Sequence, residues 1–374
     1  MDFGLNETEE MVRATARQFL SDEAGPGLAR QAAGAEAEHS FWNSVSEMGW
    51  PGMSLPESYG GAGLGLTTLA VLLEQWGAFL APGPLFETSV LVAPLIEEHG
   101  AGPLKQESLP FFADGSRTAS VAVLESDGVW RPESVRTVAV QTASGWAITG
   151  EKRFVSFGGT ADWTVVAART GDAPEDISLF AVKSREDPTI DQEALSHASG
   201  SPVCTMSFNE TSVDGPALIG GVSDGWPIVE QMMMRGAAFR SVQLAGVGQA
   251  VVDRTVEYVK DRAQFGRKIG SFQAIQHYLA DMAVAAKSVR HQAYRAVWSL
   301  ENHTGSAPKD VSRAKYLASK FVPEICWKAH QCHGAIGFTW EHDLHLYTRR
   351  ALSWKAEFGD ARWHNRALAE ALEL

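Results

Sequence analysis

The stretch RAQFGRKIGSFQAIQ, residues 262–276, guides the interpretation of the whole sequence. It joins an arginine, which is always charged, to the start of a helix that carries amide and aromatic side chains. A guanidinium can form paired, charge-assisted hydrogen bonds with a pyrophosphate, and Phe265 offers a flat face to an aromatic ring. The stretch therefore predicts a dinucleotide site. The alternative interpretation is a charged loop between two helices.

This loop and a later turn, QCHGAIGF at residues 331–338, together resemble the acyl-CoA dehydrogenases. The loop is similar to that family's Arg-x-x-Phe-Gly segment, and the turn to its Gln-x-x-Gly-Gly-x-Gly-Phe, with Ala335 in place of the middle glycine. The resemblance implies that Arg262 meets the FAD pyrophosphate across a subunit interface, and so predicts an oligomer. It implies FAD contacts at Arg262, Gln264, Phe265, Ile269, Phe272, Ile275, Gln331, Cys332 and Ala335.

The turn on its own is as typical of a helix C-cap as of a ligand site. Ala335 is tolerated there if its φ stays negative, because a methyl group in the left-handed region would be strained. The assignment of both segments to FAD therefore depends on their occurring together and in the family's order.

A third match lies in the middle of the chain, at GEKRFVS, residues 150–156. It resembles the family's Gly-x-Lys-x-Trp-Ile-Thr/Ser stretch, which implies that Phe154 flanks the isoalloxazine ring and that Ser156 bonds its polar edge. The alternative is an ordinary strand with outward polar groups. Upstream, Leu124 stands where the family usually has a threonine, so the hydroxyl contact at that edge is missing.

Hydrophobic periodicity divides the chain into helices, then strands, then helices. Residues 6–98 have helical spacing, residues 118–213 contain short alternating runs, and the helical spacing returns after Pro227. We predict an α+β fold of the acyl-CoA dehydrogenase type. Its parts are an N-terminal helical domain (1–117), a middle β-sandwich or barrel (118–215) and a C-terminal four-helix bundle (216–374). Within the last domain, we expect Ser271 to cap the start of a helix.

The catalytic base is the least regular part of the match. The family's base lies soon after an Arg-x-Ala segment, and an ungapped count from Arg349 puts Phe358 at that position. Phenylalanine cannot accept a proton, so the candidate base is its neighbour Glu357, with Asp360 as a weaker candidate that can instead cap the next helix. Some family members carry the base on the first long C-terminal helix, where this chain has Gly236.

Composition narrows the class of protein. The net charge of -13 disfavours nucleic-acid binding, and the apolar stretch 64–80 is interrupted by polar residues, which favours a buried helix over a membrane span. Three scattered cysteines fit a reducing compartment, so we expect a cytoplasmic protein. Residues 330–345 are rich in histidine but lack the spacing of a metal site, and we predict no metal.

The resemblance implies α,β-dehydrogenation of an acyl-CoA, with the β-hydride passing to flavin N5 and electrons leaving through an electron-transfer flavoprotein. The chain would act as a homo-oligomer, or as a heterotetramer with a homologous subunit, of the kind found in bacterial steroid and ring degradation. Two alternatives stay open. One is an FAD-contributing subunit without its own base, and the other is a flavin monooxygenase on the same scaffold.

Overall fold

The first part of the chain is helical. The computed structural model describes residues 4–30 and 36–373. Helices and turns cover this part up to residue 113. Its helices are α1 Glu7–Glu23, α2 Pro26–Arg30, α3 Glu36–Glu47, α4 Leu66–Ala78, a π-helical segment Phe86–Val92, α5 Ala93–His99 and α6 Gly102–Ala113. The π-helical turn widens the helix just before α5, a geometry that often occurs at functional sites.

The middle of the chain forms one hydrogen-bonded sheet of eight strands. The strands are β1 Ala119–Ala122, β2 Val138–Gln141, β3 Gly145–Ser156, β4 Trp163–Arg169, β5 Ile177–Lys183, β6 Ile190–Leu195, β7 Val203–Asp214 and β8 Leu218–Ile219. Their order is β6-β7-β3-β2-β4-β5-β8, and β1 runs parallel to the first half of β4.

The sheet curves around its own core. Trp146 of β3 and Phe180 of β5 lie three places apart in the strand order, yet their ring centroids are 5.4 Å apart. In a flat sheet they would be separated by roughly 14 Å, since neighbouring strands are about 4.8 Å apart. The curvature encloses a cluster of buried apolar side chains on one face of the sheet.

Long helices form the last part of the chain. They are α7 Gly225–Asp261, α8 Gln273–Glu301, α9 Ala307–His333, α10 Leu344–Trp354 and α11 Ala361–Ala371, and a short hairpin of β9 Ala263–Gln264 and β10 Arg267–Lys268 joins α7 to α8. The predicted cap at Ser271 is wrong. Helix α8 begins after Phe272, and the Ser271 hydroxyl instead donates to the carbonyl of Lys268.

Helix α4 of the first part packs closely against α7 of the last part. A Cβ added at Gly77 would lie 2.1 Å from the carbonyl oxygen of Gln243, and one added at Gly246 would lie 1.9 Å from that of Glu74. Glycine at both positions therefore allows the two backbones to touch. The predicted fold class is confirmed, whereas the predicted domain limits stay a prediction.

Candidate active site

A cavity of about 670 Å³ lies where the three parts of the chain meet. Its wall includes Leu91 from the π-helical segment, Phe154 and Ser156 from β3, Met232 from α7 and Glu357 from the turn after α10. The structure thus brings together three of the residues predicted from the sequence. A concave site at such a junction is the usual setting for a small-molecule ligand.

Phe154 reaches the cavity because β3 bulges at this point. The pairing of β3 with β7 shifts between Lys152 and Val155, so β3 has one more residue than its partner there. Phe154 sits in this bulge with a left-handed backbone (φ 59°) and is 50% exposed. A strained conformation of a bulky residue is typical of functional sites.

A buried ion pair fixes the strand that carries Phe154 and Ser156. Lys152 Nζ lies 2.7 Å from Glu125 Oε1, and Glu125 also accepts from the backbone N–H of Thr137. Burial lowers the pKa of Lys152 to about 8, and Glu125 opposes that shift. Lys152, the lysine of the predicted motif, therefore links β3 to the segment that follows β1.

Lys315 of α9 holds the turn that carries Glu357 in place. The ammonium group of this buried lysine donates to the carbonyls of Trp354, Lys355 and Gly359. Burial lowers the pKa of Lys315 to about 7. Lys315 lies at the C-terminus of α10, where the last carbonyl groups lack partners within the helix and a cation is favourable.

Two further residues complete the support of this turn. His364 Nε2 donates to the carbonyl of Phe358 at 2.9 Å, and burial lowers the pKa of this histidine to about 3, so the ring is neutral. Asp360 caps α11 by accepting from the N–H of Trp363. The structure therefore gives Asp360 the capping role that was the alternative to catalysis.

Phe358 occupies the position predicted for the base, and its ring lies over Gly236. A Cβ added at Gly236 would be 2.6 Å from Phe358 Cδ1. The ring also contacts Phe86 and Trp130, with centroids 5.7 and 5.8 Å away. The two positions that the resemblance assigns to a base are therefore occupied by one aromatic side chain.

Glu357 points to a buried arginine that sequence reasoning did not single out. Arg240 Nη2 lies 2.6 Å from Glu357 Oε2. The guanidinium stacks over the rings of Phe86 and Trp354, 3.7 and 4.6 Å from their centroids, and Nη1 donates to Gln243. Its position is thus fixed from three sides.

A second carboxyl, Glu87, also lines the cavity and was missed by sequence reasoning. It is 6% exposed and lies 3.9 Å from the same Nη2 of Arg240. Burial raises its pKa from 4.5 to about 7, and Arg240 opposes the shift. A signal for both residues was present, because each is a single charge in an otherwise apolar helical run.

We expect Glu87→Gln to make stability less dependent on pH. The folded protein holds the Glu87 proton more tightly (pKa about 7) than an ordinary carboxyl does (4.5). Wild type therefore loses stability as the pH rises from about 5 to above 7, by roughly 3 kcal/mol at most, whereas glutamine does not titrate. Urea unfolding at about pH 5 and about pH 8 measures this difference. An equal stability difference between the two proteins at both values would contradict the raised pKa.

The remaining predicted FAD residues lie outside this cavity, and all of them except the buried Cys332 are exposed or half-buried. Phe265 is at the tip of the β9–β10 hairpin and is 90% exposed. Both turn residues, Phe265 and Gly266, have positive φ (53° and 76°), which is what a type I′ turn in a two-residue hairpin requires. Phe272 packs edge-on against Phe265 and beneath the guanidinium of Arg267.

The turn after α9 lies close to the end of α7 that precedes this hairpin. Tyr258 of α7 stacks on His333, with ring centroids 4.2 Å apart. Gln331 and Ala335 are exposed, Cys332 is buried, and Ala335 keeps a negative φ, which satisfies the condition set for it. One chain therefore presents two separate groups of predicted FAD residues, of which only Phe154 and Ser156 face the cavity.

The cavity wall has the chemistry to receive a ligand rich in hydrogen-bond acceptors. Arg153 Nε, Arg240 Nε and Ser353 Oγ are buried there without a hydrogen-bond partner. Buried donors without partners are costly, and a flavin ring or a thioester carbonyl supplies acceptors for them. Among the residues that the structure describes, no group of three His, Cys, Asp or Glu side chains is placed to hold a metal ion.

The described helices include none that combines the length and the apolar composition needed to span a bilayer. All three cysteines are buried and free.

Three family models match the chain consecutively. They describe the N-terminal domain of acyl-CoA dehydrogenase (residues 6–116), its middle domain (120–211) and its C-terminal domain (223–373). Together they span nearly the whole sequence in the order of the structural parts.

Individual relatives agree with these matches. The short-chain specific acyl-CoA dehydrogenase of Clostridium acetobutylicum is 29% identical over 362 residues, which is 94% of each chain. A chain of the ChsE4–ChsE5 complex from Mycobacterium tuberculosis is 25% identical, with a TM-score of 0.89 over 100% of this chain and 99% of that one. PigA in its FAD complex has a TM-score of 0.92 at 22% identity, over 100% of both chains.

Proposed function

Since this chain belongs to the acyl-CoA dehydrogenase family of FAD-dependent oxidoreductases, we propose that it converts an acyl-CoA thioester to the trans-2-enoyl-CoA, with Glu357 as the base. The observation that carries the proposal is the meeting of Glu357, Phe154 and Ser156 around one cavity. A carboxylate and a flavin-flanking pair that line the same cavity suit removal of the α-proton and the β-hydride from a substrate bound there.

FAD, when bound, supplies the acceptor for the β-hydride. Phe154 and Ser156 would flank its ring system. Arg262 and Gln331 would hold the pyrophosphate of a cofactor that extends to a neighbouring subunit. The separation of the two groups of residues within one chain supports this division.

Glu357 has the surroundings that a base requires. It is partly shielded, since 27% of its side chain is exposed, and Lys315 holds the turn beneath it. Arg240 keeps one carboxylate oxygen in place. Binding of an acyl chain between Phe358, Leu91 and Met232 would remove water from this carboxylate and so increase its ability to take a proton.

The exposed aromatic surface around the predicted pyrophosphate site supports an oligomer. Phe265, Phe338 and Trp340 are each more than half exposed, at 90, 61 and 66%. Exposed aromatic groups of this kind mark binding surfaces. We propose that a second subunit, identical or homologous, covers them together with FAD, and that an electron-transfer flavoprotein receives the electrons.

One observation favours a second candidate function. Phe358 fills the usual place of the base, and Glu357 is engaged by Arg240. The chain would then be an FAD-contributing subunit whose homologous partner supplies the base.

The test is anaerobic bleaching of the flavin in the purified holoprotein. Straight-chain, branched and steroid-side-chain acyl-CoAs are added in turn, first to this protein alone and then with a co-encoded homologue. Bleaching by the protein alone supports a self-sufficient dehydrogenase. Bleaching only with the homologue supports the second candidate. No bleaching in either case, with FAD bound, contradicts both.

A further inference from the structure

Two carboxyl groups that line the cavity share one fixed cation. Glu357 Oε2 and Glu87 Oε1 lie 2.6 and 3.9 Å from the same atom, Nη2 of Arg240. Arg240 is 4% exposed and is clamped between Phe86 and Trp354. It therefore cannot follow one carboxyl group away from the other.

Three charged groups, from two helices of the last part of the chain and the turn after α10, act on Glu87. They are Arg240 of α7, and Arg350 and Glu357 of α10 and the turn that follows it. His197, from the loop before β7, lines the same cavity, and burial lowers its pKa. Two arginines thus face two carboxyl groups, and burial favours the neutral form of Glu87, whose pKa lies near 7.

We propose that Glu87 is a positioning residue that exchanges its proton in step with Glu357. The proposal rests on the proposed function. Glu87 keeps its proton while Glu357 is ionised and paired with Arg240. When Glu357 takes the α-proton, Glu87 ionises and becomes the partner of Arg240. The buried guanidinium then faces one carboxylate before and after the transfer.

The proton balance is complete. The Cα–H bond of the substrate breaks, an O–H bond forms on Glu357, and the electron pair of the Cα–H bond stays in the acyl group. The O–H bond of Glu87 breaks, and its proton passes to solvent through the second, smaller cavity that Glu87 lines together with His197 and Ser199. The cluster resets when Glu357 loses its proton and Glu87 regains one.

Infrared spectroscopy of the oxidised holoprotein tests the first half of the proposal without turnover. Wild type should show the band of a protonated carboxyl that disappears with a midpoint near pH 7. The band should be absent from Glu87→Gln and present in Glu357→Gln. The comparison is made at about pH 6, where ordinary carboxyl groups are ionised and Glu87 is not. A band that persists there in Glu87→Gln, or is absent there from wild type, overturns the proposal.

The pH dependence of flavin bleaching tests the second half of the proposal, in which Glu87 ionises when Glu357 takes the α-proton. Butyryl-CoA is the first probe. If it does not bleach wild type, another acyl-CoA that does so takes its place. Glu87→Gln should still bleach, but about tenfold more slowly at neutral pH and without an ionisation near pH 7. Glu97→Gln, a control on α5 outside the cavity wall, should keep the wild-type profile. Equal FAD content and circular dichroism establish that each variant is folded.

The remaining outcomes separate this proposal from the proposed function. Loss of bleaching in Glu87→Gln with bleaching retained in Glu357→Gln would make Glu87 the base itself and overturn the exchange, while dehydrogenation stands. An unchanged pH profile in Glu87→Gln would also overturn it. If none of the acyl-CoAs bleaches the flavin of wild type, the proposed function fails. The infrared titration still decides whether Glu87 holds the proton.

Discussion

Glu357→Gln should slow bleaching of the flavin by acyl-CoA by about 10²- to 10⁴-fold, the usual contribution of a general base. Glutamine keeps the size of the side chain and its hydrogen bond to Arg240 but cannot accept the α-proton. The substrate should still bind, because the cavity wall is unchanged. Single-turnover absorbance measurements under anaerobic conditions therefore separate a lost chemical step from lost binding.

Glu370→Gln is the matched control for this prediction. Glu370 also borders the cavity, but it is exposed on α11. Its replacement should leave the bleaching rate within about twofold of wild type, since exposed surface changes seldom matter. If Glu357→Gln bleaches as fast as Glu370→Gln, Glu357 is not the base.

Gly246→Ala should destabilise the protein by roughly 3 kcal/mol or more, because overpacking against rigid backbone leaves no side chain to move aside. The new methyl group would lie 1.9 Å from the Glu74 carbonyl oxygen and 2.9 Å from the Ala78 nitrogen. Helices α4 and α7 would have to separate, and Arg240 would move with α7. The free energy of unfolding from urea titration measures the loss.

Gly248→Ala, two residues along the same helix, is the control. An added Cβ there lies 3.5 Å from Ile325 Cδ1 and from Val322 Cγ2, which is ordinary van der Waals contact. Alanine is a better helix former than glycine, so this variant should be as stable as wild type or up to about 1 kcal/mol more stable. Equal destabilisation of the two variants would show that the α4–α7 crossing does not depend on Gly246.

The fold could be predicted because each part repeats one periodicity over a long stretch. The short alternating runs predicted within residues 118–213 are observed as the strands β1 to β7, which lie between Ala119 and Asp214. Local features were harder. The bulge that turns Phe154 into the cavity depends on its pairing with β7, which a single strand does not reveal.

The candidate site could be predicted only in part, for a physical reason. Glu357 was predicted because it lies beside the motif position in the sequence, and it lines the cavity. Glu87 and Arg240 lie in different elements, and their contact exists only after α7 packs on the π-helical segment. Lys315 likewise supports the turn from another helix, with no local pattern to mark it.

The contact of Phe358 with Gly236 has a consequence for how these two positions can change in evolution. The two positions share one volume, so a side chain at either excludes a side chain at the other. Members of the family that carry a carboxylate at one of these positions should therefore carry a small residue at the other. Over evolutionary time, the base can move between the turn after α10 and helix α7 only if both codons change together, or if the lineage passes through a form in which neither position holds a base.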